Sequence, residues 1–583
     1  MSESFHHVLI NSWDPSDPET KKSHDEGYNQ LFTRFKPSEV LVFNPLGDQP
    51  IHSGIITYAE DVEIQAHSIE GIEPPANWSQ SDLAAKPFQI LEDMVDGWRA
   101  SNLNGSKALV TIVGGTSLHG SLLLVFSRII GASIVLNNGD MKNPDYQLQT
   151  WLSQIENYTQ VTSREVDILN TFLGSKEGPD FNKSSFRESD FWKPASEITG
   201  SDIDASKSTG LSSSIKSLID NGYIIKNNGR PMQYRLTAKG WTTALTNSEL
   251  GLKNPFNARS SRISGFRLKR RPDGSVPTIG IANSLPAVED WLTIMGIEGG
   301  KASGGIGVFD EKKTSDILSS EDETMRKEWL DYLNMTHMSE HSWGLLGSVG
   351  DQDEIFCEFC EWIWPRLTGD NREWSLDLTQ FTNKQIPLVA HFAFSTGIPM
   401  TYTSAPRLHQ GVHAGVVDHD IQNRTDRIFS VPNLDFAKIL NLGADANPKP
   451  GTQVLLALLY QEEKFHSDGS IVSVNPFKPE GESDTTNEGD TPEREECLGA
   501  TFEELVEFVK GQTDNPIKGK LTFIHSTDHA HTKRAYKNLI LDGYIRFEVL
   551  PGKARARHLT LSPMGRLIAR ILRDKLLSTM EEE

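Results

Sequence analysis

Backbone amides and small residues can make an anion site where a strand ends, and Ala108 to Leu136 (ALVTIVGGTSLHGSLLLVFSRIIGASIVL) has the composition for one. A β-branched run, Val110, Ile112 and Val113, meets Gly114-Gly115-Thr116 and then Ser117. About fifteen residues of helical apolar spacing follow, then Gly131 and a second apolar run. In a parallel sheet the turn after a strand's carboxyl end presents unpaired N–H groups and a helix N-terminus, which favour a phosphate or another anion. The GGT turn lacks the full GxGxxG or P-loop spacing, so a glycine turn that only packs helix on strand fits equally well.

Other residue types suggest other chemistry. Cys357 and Cys360 have the spacing of a metal half-site, but no second CxxC exists. They fall in a helical pattern with Ile355, Phe356, Phe359 and Ile363, which favours buried core thiols. His409, His413, Asp418 and His419 resemble a metal cluster, yet Gly411 and Gly415 weaken the helix that an i, i+4 pair needs, so a hydrogen-bonded loop is preferred. We therefore expect neither a metal nor a cofactor, and no set of residues reads as catalytic. Basic residues gather near the end of the chain: Lys533, Arg534 and Lys537 open one helical pattern, and Lys553, Arg555, Arg557 and His558 fill the hairpin after it. From Gly499 to Leu577 there are fourteen Lys or Arg and eight Asp or Glu, against a chain that carries −22 overall. Such a pair of elements suits phosphate contacts on a nucleic-acid groove; the plain alternative is a solvated basic face.

Length and composition bound these options. A chain of 583 residues holds three to five domains, and 37% hydrophobic with 23% charged residues is ordinary globular composition. With 57 Lys plus Arg against 79 Asp plus Glu, the charge counts against a nucleic-acid surface over the whole chain but not against a local one. Three cysteines, Cys357, Cys360 and Cys497, make no disulfide framework and fit a reducing, cytoplasmic setting. The opening MSESFHHVLINSW reads as a strand with no signal peptide, and Arg128 and Gly131 interrupt the longest apolar run, so no membrane span is expected.

The elements that must position these residues alternate between two kinds. His7 to Ser12, Glu39 to Phe43 and Val62 to Ile69 read as strands, and Phe88 to Trp98 as a helix with Ile90, Leu91, Met94, Val95 and Trp98 on one face. Together with the glycine-turn stretch they imply a mostly parallel sheet within residues 1–150. Residues 158–248 change to short helices (SREVDILNTFLG, LSSSIKSLIDNGYI) and a hairpin (IIKNNGRPMQYRLTAKG), the order of a winged helix-turn-helix. The basic stretch NPFNARSSRISGFRLKRR, between Lys253 and Arg271, reads as a solvated connector, with a phosphate-binding strip as the alternative. A second α/β pattern spans 272–440, with Thr278 to Asn283 as its first strand, then Ile306 to Phe309, Trp343 to Val349 and a helix from Glu354 to Leu367. A second helical module spans 450–578, interrupted over 479–496 by an acidic stretch that we expect to be disordered.

These halves repeat. Thr116 matches Thr382 and Gly131 matches Gly397 at one offset of 266 (382 − 116 and 397 − 131), with no gap. KRAYKNLILDGYI repeats SSSIKSLIDNGYI, placing Gly543 opposite Gly222, and LSPMG repeats LTAKG, placing Gly565 opposite Gly240. The chain is a tandem duplication of an α/β domain followed by a helical module.

SWDPSDPETKKSHDEGYNQLFTRFKPSEVLVF followed by VTIVGGTSLHG resembles the CRISPR-associated Rossmann-fold (CARF) family, and CARF followed by a winged helix is similar to that family's transcriptional regulators. The fold class implied is α/β, with two Rossmann-like (CARF-like) parallel-sheet domains, each followed by a winged helix-turn-helix domain. The resemblance implies a cyclic oligoadenylate as ligand, bound between paired CARF domains, and double-stranded DNA as partner. Carried onto this sequence, the ligand residues are Ser12, Asp14, Gly114, Gly115, Thr116 and Ser117, and in the second copy Asn283, Ser284, Thr382, Asn383 and Lys384. In that copy Gln380 and Phe381 replace the glycines. The implied DNA contacts are Lys533, Arg534, Lys537, Lys553, Arg555 and Arg557, with Lys216, Arg230 and Arg235 as a weaker first set. The Arg-x4-His ribonuclease motif common in the family is absent, because no Arg lies five residues before any His. The expectation is a non-enzymatic, ligand-responsive DNA-binding regulator whose two sensor domains pair as an internal pseudo-dimer. The alternatives are a ring nuclease cleaving a cyclic oligonucleotide and a protein-binding scaffold.

Overall fold

The computed structural model describes residues 7–11, 29, 32–33, 35–37, 39–44, 65–70, 87–88, 90–91, 94–95, 108–111, 117–130, 132–137, 148–151, 161–173, 186–187, 208–227, 233–248, 259–266, 268–270, 277–279, 305–310, 341–346, 351–368, 372–378, 381, 385–403, 428–434, 450–462, 464–465, 471–472, 538–540, 544–549 and 557–581. It is an α/β protein in two compact units, Met1–Ala437 and Lys438–Glu583.

The first sheet is built from β1 (His7–Asn11), β2 (Glu39–Asn44), β3 (Gln65–Glu70), β4 (Ala108–Thr111), β5 (Ser133–Asn137) and β6 (Leu148–Trp151). Its spatial order is β3-β2-β1-β4-β5-β6. The first five strands are parallel, with His7 opposite Glu39 on one side and Ala108 on the other, and β6 is antiparallel to β5. Val40, Ala108, Leu109, Val110 and Ile134 are fully buried, as expected of parallel strands covered on both faces. Helix α1 (Ser117–Ile130) joins β4 to β5.

After α2 (Ser163–Leu173) come β7 (Phe186–Arg187), α3 (Ser208–Asp220), β8 (Ile224–Asn227), β9 (Gln233–Leu236) and α4 (Ala238–Thr246). β7, β9 and β8 form a small antiparallel sheet, and α2 packs on α3 and α4. A reciprocal capping box opens α2: the Thr162 N–H donates to Glu165 Oε2 at 2.8 Å, and the Glu165 N–H donates back to Thr162 Oγ1 at 3.3 Å.

The second sheet repeats the first. Its strands are β10 (Arg259–Phe266), β13 (Gly305–Asp310), β14 (His341–Leu346), β15 (Arg372–Asp377), β16 (Met400–Thr403) and β17 (Ile428–Val431), in the order β14-β13-β10-β15-β16-β17. Again five strands are parallel and the sixth is antiparallel. Between them lie β11 (Leu268–Arg270) and β12 (Pro277–Ile279), which pair only with each other among the described residues, and the helices α5 (Gln352–Thr368) and α6 (Ile386–Thr396). This corrects the sequence reading at one point. The basic stretch taken for a connector contains β10, which hydrogen-bonds to β13 and β15 at the centre of the sheet, whereas the stretch at 278–283 taken for the first strand begins in β12. Serine and arginine are poor strand formers, but backbone pairing on both sides overrides that local preference.

In the second unit, α7 (Pro450–Glu462), β18 (Lys464–Phe465), β19 (Ile471–Val472), β20 (Ile545–Val549), β21 (Arg557–Leu561) and α8 (Pro563–Glu581) are described. β20 and β21 form an antiparallel hairpin, and α7 packs on α8 through the buried run Val454 to Leu459.

Both helical modules use one local device. The Tyr223 N–H donates to Leu218 O, the Thr237 N–H donates to Tyr223 O, and the Gly240 N–H donates to Thr237 Oγ1 at 3.0 Å. In the second unit the Tyr544 N–H donates to Leu539 O, the Ser562 N–H to Tyr544 O, and the Gly565 N–H to Ser562 Oγ at 3.0 Å. A hydroxyl N-cap thus starts the last helix, and the glycine three residues on lets that helix lie against the tyrosine carbonyl.

Candidate functional site

In an open parallel sheet, ligands bind outside the carboxyl ends of the strands where the strand order reverses. That point lies between β1 and β4 in the first sheet, and between β10 and β15 in the second. The connections leaving β4 and β15 are the two stretches related by the 266-residue offset, and the structure places their flanks alike. β4, α1 and β5 run strand-helix-strand, as do β15, α6 and β16. Gly397, opposite Gly131, adopts φ +73° and its N–H donates to Ala393 O, so a left-handed cap ends α6.

The residues expected to hold an anion are only bracketed by described elements. Ser12, Asp14, Gly114, Gly115, Thr116, Asn283, Ser284, Thr382, Asn383 and Lys384 lie outside the described residues, and of Ser117 only its place at the start of α1 is described. Phe381 is fully buried, so its ring belongs to the core. Because the second sheet starts with β10, the loop corresponding to the one that carries Ser12 follows Phe266.

Within the first unit the two sheet domains meet through α1 and α6. Ser121 to Ser127 of α1 and Ile386 to Ser395 of α6 are buried without a polar stripe, so each helix is covered on the side away from its own sheet. The cover comes from the partner helix and, for α6, from α4 and α5. Fully burying a leucine such as Leu122, Leu123, Leu124 or Leu388 stabilises by about 2 kcal/mol.

Inside this apolar contact sits a polar cluster that the sequence did not reveal. Arg128 Nη2 of α1 lies 2.8 Å from His391 Nδ1 of α6, and His391 Nε2 lies 2.7 Å from Thr242 Oγ1 of α4. Burial first, and the Arg128 charge second, hold His391 well below the usual histidine range, so the ring is neutral. The one available sequence signal was Arg128, a lone charge in an apolar run.

The first helical module is also fastened to α5. Arg235 Nη2 on β9 pairs with Glu361 at 3.1 Å, Trp364 Nε1 donates to Leu173 O at 3.1 Å, and Cys357 Sγ lies 3.7 Å from Leu236 O. Burial raises the Glu361 carboxyl and Arg235 partly offsets it. Arg235, expected to face DNA, therefore meets a carboxylate, while Lys216 is exposed on α3. Arg230, Lys533, Arg534, Lys537, Lys553 and Arg555 lie outside the described residues, and Arg557 is described only as the start of β21.

Cys357 and Cys360 are buried free thiols, and burial pushes both far up from the ordinary thiol value. Folded protein should leave both unlabelled by iodoacetamide at about pH 8, and denatured protein should label both, as mass spectrometry of the α5 peptide would report. Labelling of either at the rate of a free thiol would contradict the packing. Among the described residues no group of acidic, histidine or cysteine side chains is placed to hold a metal, and no helix is long and apolar enough to cross a membrane. His409, His413, Asp418 and His419 lie outside them.

No family model matches the chain, and no curated protein matches it. A solved structure, the protein VC1899 from Vibrio cholerae, is similar at 11% identity and a TM-score of 0.16 over 62% of this chain and 99% of that one.

Proposed function

We propose that this protein is a ligand-responsive DNA-binding regulator of the CARF and winged-helix type, in which two Rossmann-like sensor domains pair within one chain and bind a cyclic oligoadenylate. The observation that carries the reading is the pairing of α1 with α6, the two helices that leave the switch-point strands of two sheets with one strand order. A pseudo-two-fold pairing of the two domains would suit a ligand with internal symmetry. Gly114 and Gly115 have no side chain to keep a phosphate from the backbone, so the first copy would dominate binding. The duplicated helical modules supply the DNA contacts, and the basic second module carries most of the affinity because Arg235 of the first is spent on Glu361.

The test is salt-dependent binding of duplex DNA. The triple change of Lys533, Arg555 and Arg557 to Ala should weaken binding and lower the magnitude of the log K against log salt slope by roughly three, one for each phosphate that is no longer neutralised. The change of Lys216 to Ala should lower it by about one at most. Wild-type protein that binds no duplex DNA at low ionic strength, or a triple variant with an unchanged slope, would overturn the regulator reading. Calorimetry with a cyclic oligoadenylate tests the sensor part, where Gly115→Val should abolish binding.

A further inference from the structure

The cluster at Arg128, Thr242 and His391 draws one residue from each of three helices, α1, α4 and α6, and all three are at least nine-tenths buried. The hydrogen bonds have only one direction. A guanidinium can only donate, so His391 Nδ1 must accept from Arg128 and the ring proton must sit on Nε2. Nε2–H then donates to Thr242 Oγ1, and the threonine hydroxyl donates to Ala238 O at 2.9 Å. Phe356 of α5 meets the imidazole edge-on, with centroids 5.1 Å apart, and holds the ring plane. Without the Arg128 bond the other tautomer becomes accessible, and its Nε2 would accept from the Thr242 hydroxyl, which would then release Ala238 O.

We propose that this cluster is a coupling latch, through which the packing of α1 on α6 sets the seating of α4 and so links the paired sheets to the first helical module. This deepens the sensor reading by naming the physical link from sensor to module. It is a property of the chain without ligand, so it can be tested apart from that reading.

Hydrogen exchange on the full chain, with no nucleotide or DNA present, provides the test. Arg128→Met should speed exchange across 238–246 by about tenfold, although Arg128 is on another helix, and Thr242→Val should do the same across 117–130. His391→Gln, whose amide accepts from Arg128 and donates to Thr242, should stay within about threefold of wild type at both places. Changes confined to the mutated helix and α6 would overturn the latch. If Arg128→Met does not fold, Thr242→Val against Thr242→Ser decides. The latch stands if Val, and not Ser, speeds exchange across 117–130, and it falls if neither does. A failed DNA or nucleotide test leaves this result unaffected, and the reverse also holds.

Discussion

Gly240→Ala will cost the first unit at least about 3 kcal/mol, and Gly565→Ala will do the same to the second, because a methyl group at either position runs into backbone. The added Cβ at Gly240 would overlap the Tyr223 carbonyl oxygen, and at Gly565 that of Tyr544. Those oxygens also accept from the Thr237 and Ser562 N–H groups, so moving them breaks the hairpin at its root. Gly222 makes the contrast. It sits at φ +74° with nothing within 4 Å of a built Cβ, so Gly222→Ala meets only the backbone penalty, about 1 kcal/mol. Calorimetric unfolding of the three variants should rank them in that order. Gly240→Ala within about 1 kcal/mol of wild type, the outcome of a freely shifting carbonyl, would show that the close approach is not fixed.

Acidification will destabilise the first unit through His391. An unfolded histidine titrates near about 6.5, and the folded one lies well below, so the unfolded state binds the extra proton first. The sign follows: this contribution is intact above about pH 6.5 and is lost as pH falls, at up to about 1.4 kcal/mol per pH unit. Glu165 acts in a lower window. Its burial raises its carboxyl, but the hydrogen bonds from Thr162 and Ser217 outweigh that and leave it lowered, so its contribution is lost only as pH falls below the ordinary glutamate range. Denaturant midpoints between about pH 5 and 6.5 should fall for wild type and fall less for His391→Gln. Parallel slopes for the two proteins would show that His391 is not the group that titrates.

What could be read from the sequence was whatever repeats or keeps a local period. The offset joining Thr116 to Thr382 and Gly131 to Gly397 located two strand-helix-strand units, and the structure has β4-α1-β5 and β15-α6-β16 there. The repeat of Gly222 with Gly543 and Gly240 with Gly565 likewise located the tyrosine-carbonyl device, since that device depends on short-range turn geometry. β10 was missed because its residues, RSSRISGF, carry no strand signal and the pairing that makes it a strand comes from β13 and β15. The polar cluster was missed for a related reason. Its members lie 263 and 149 positions apart, and a lone arginine or histidine in an apolar helix does not point to its partner.

The antiparallel sixth strand has a consequence for how the chain is threaded. Five parallel strands point their carboxyl ends at one rim of each sheet, and β6 and β17, running the other way, end at the opposite rim. Trp151 and Val431 therefore end their strands at the rim opposite the one that carries the switch point. In each sheet the rim where the strand order reverses is therefore not the rim at which the last strand ends, and the two lie a strand's length apart.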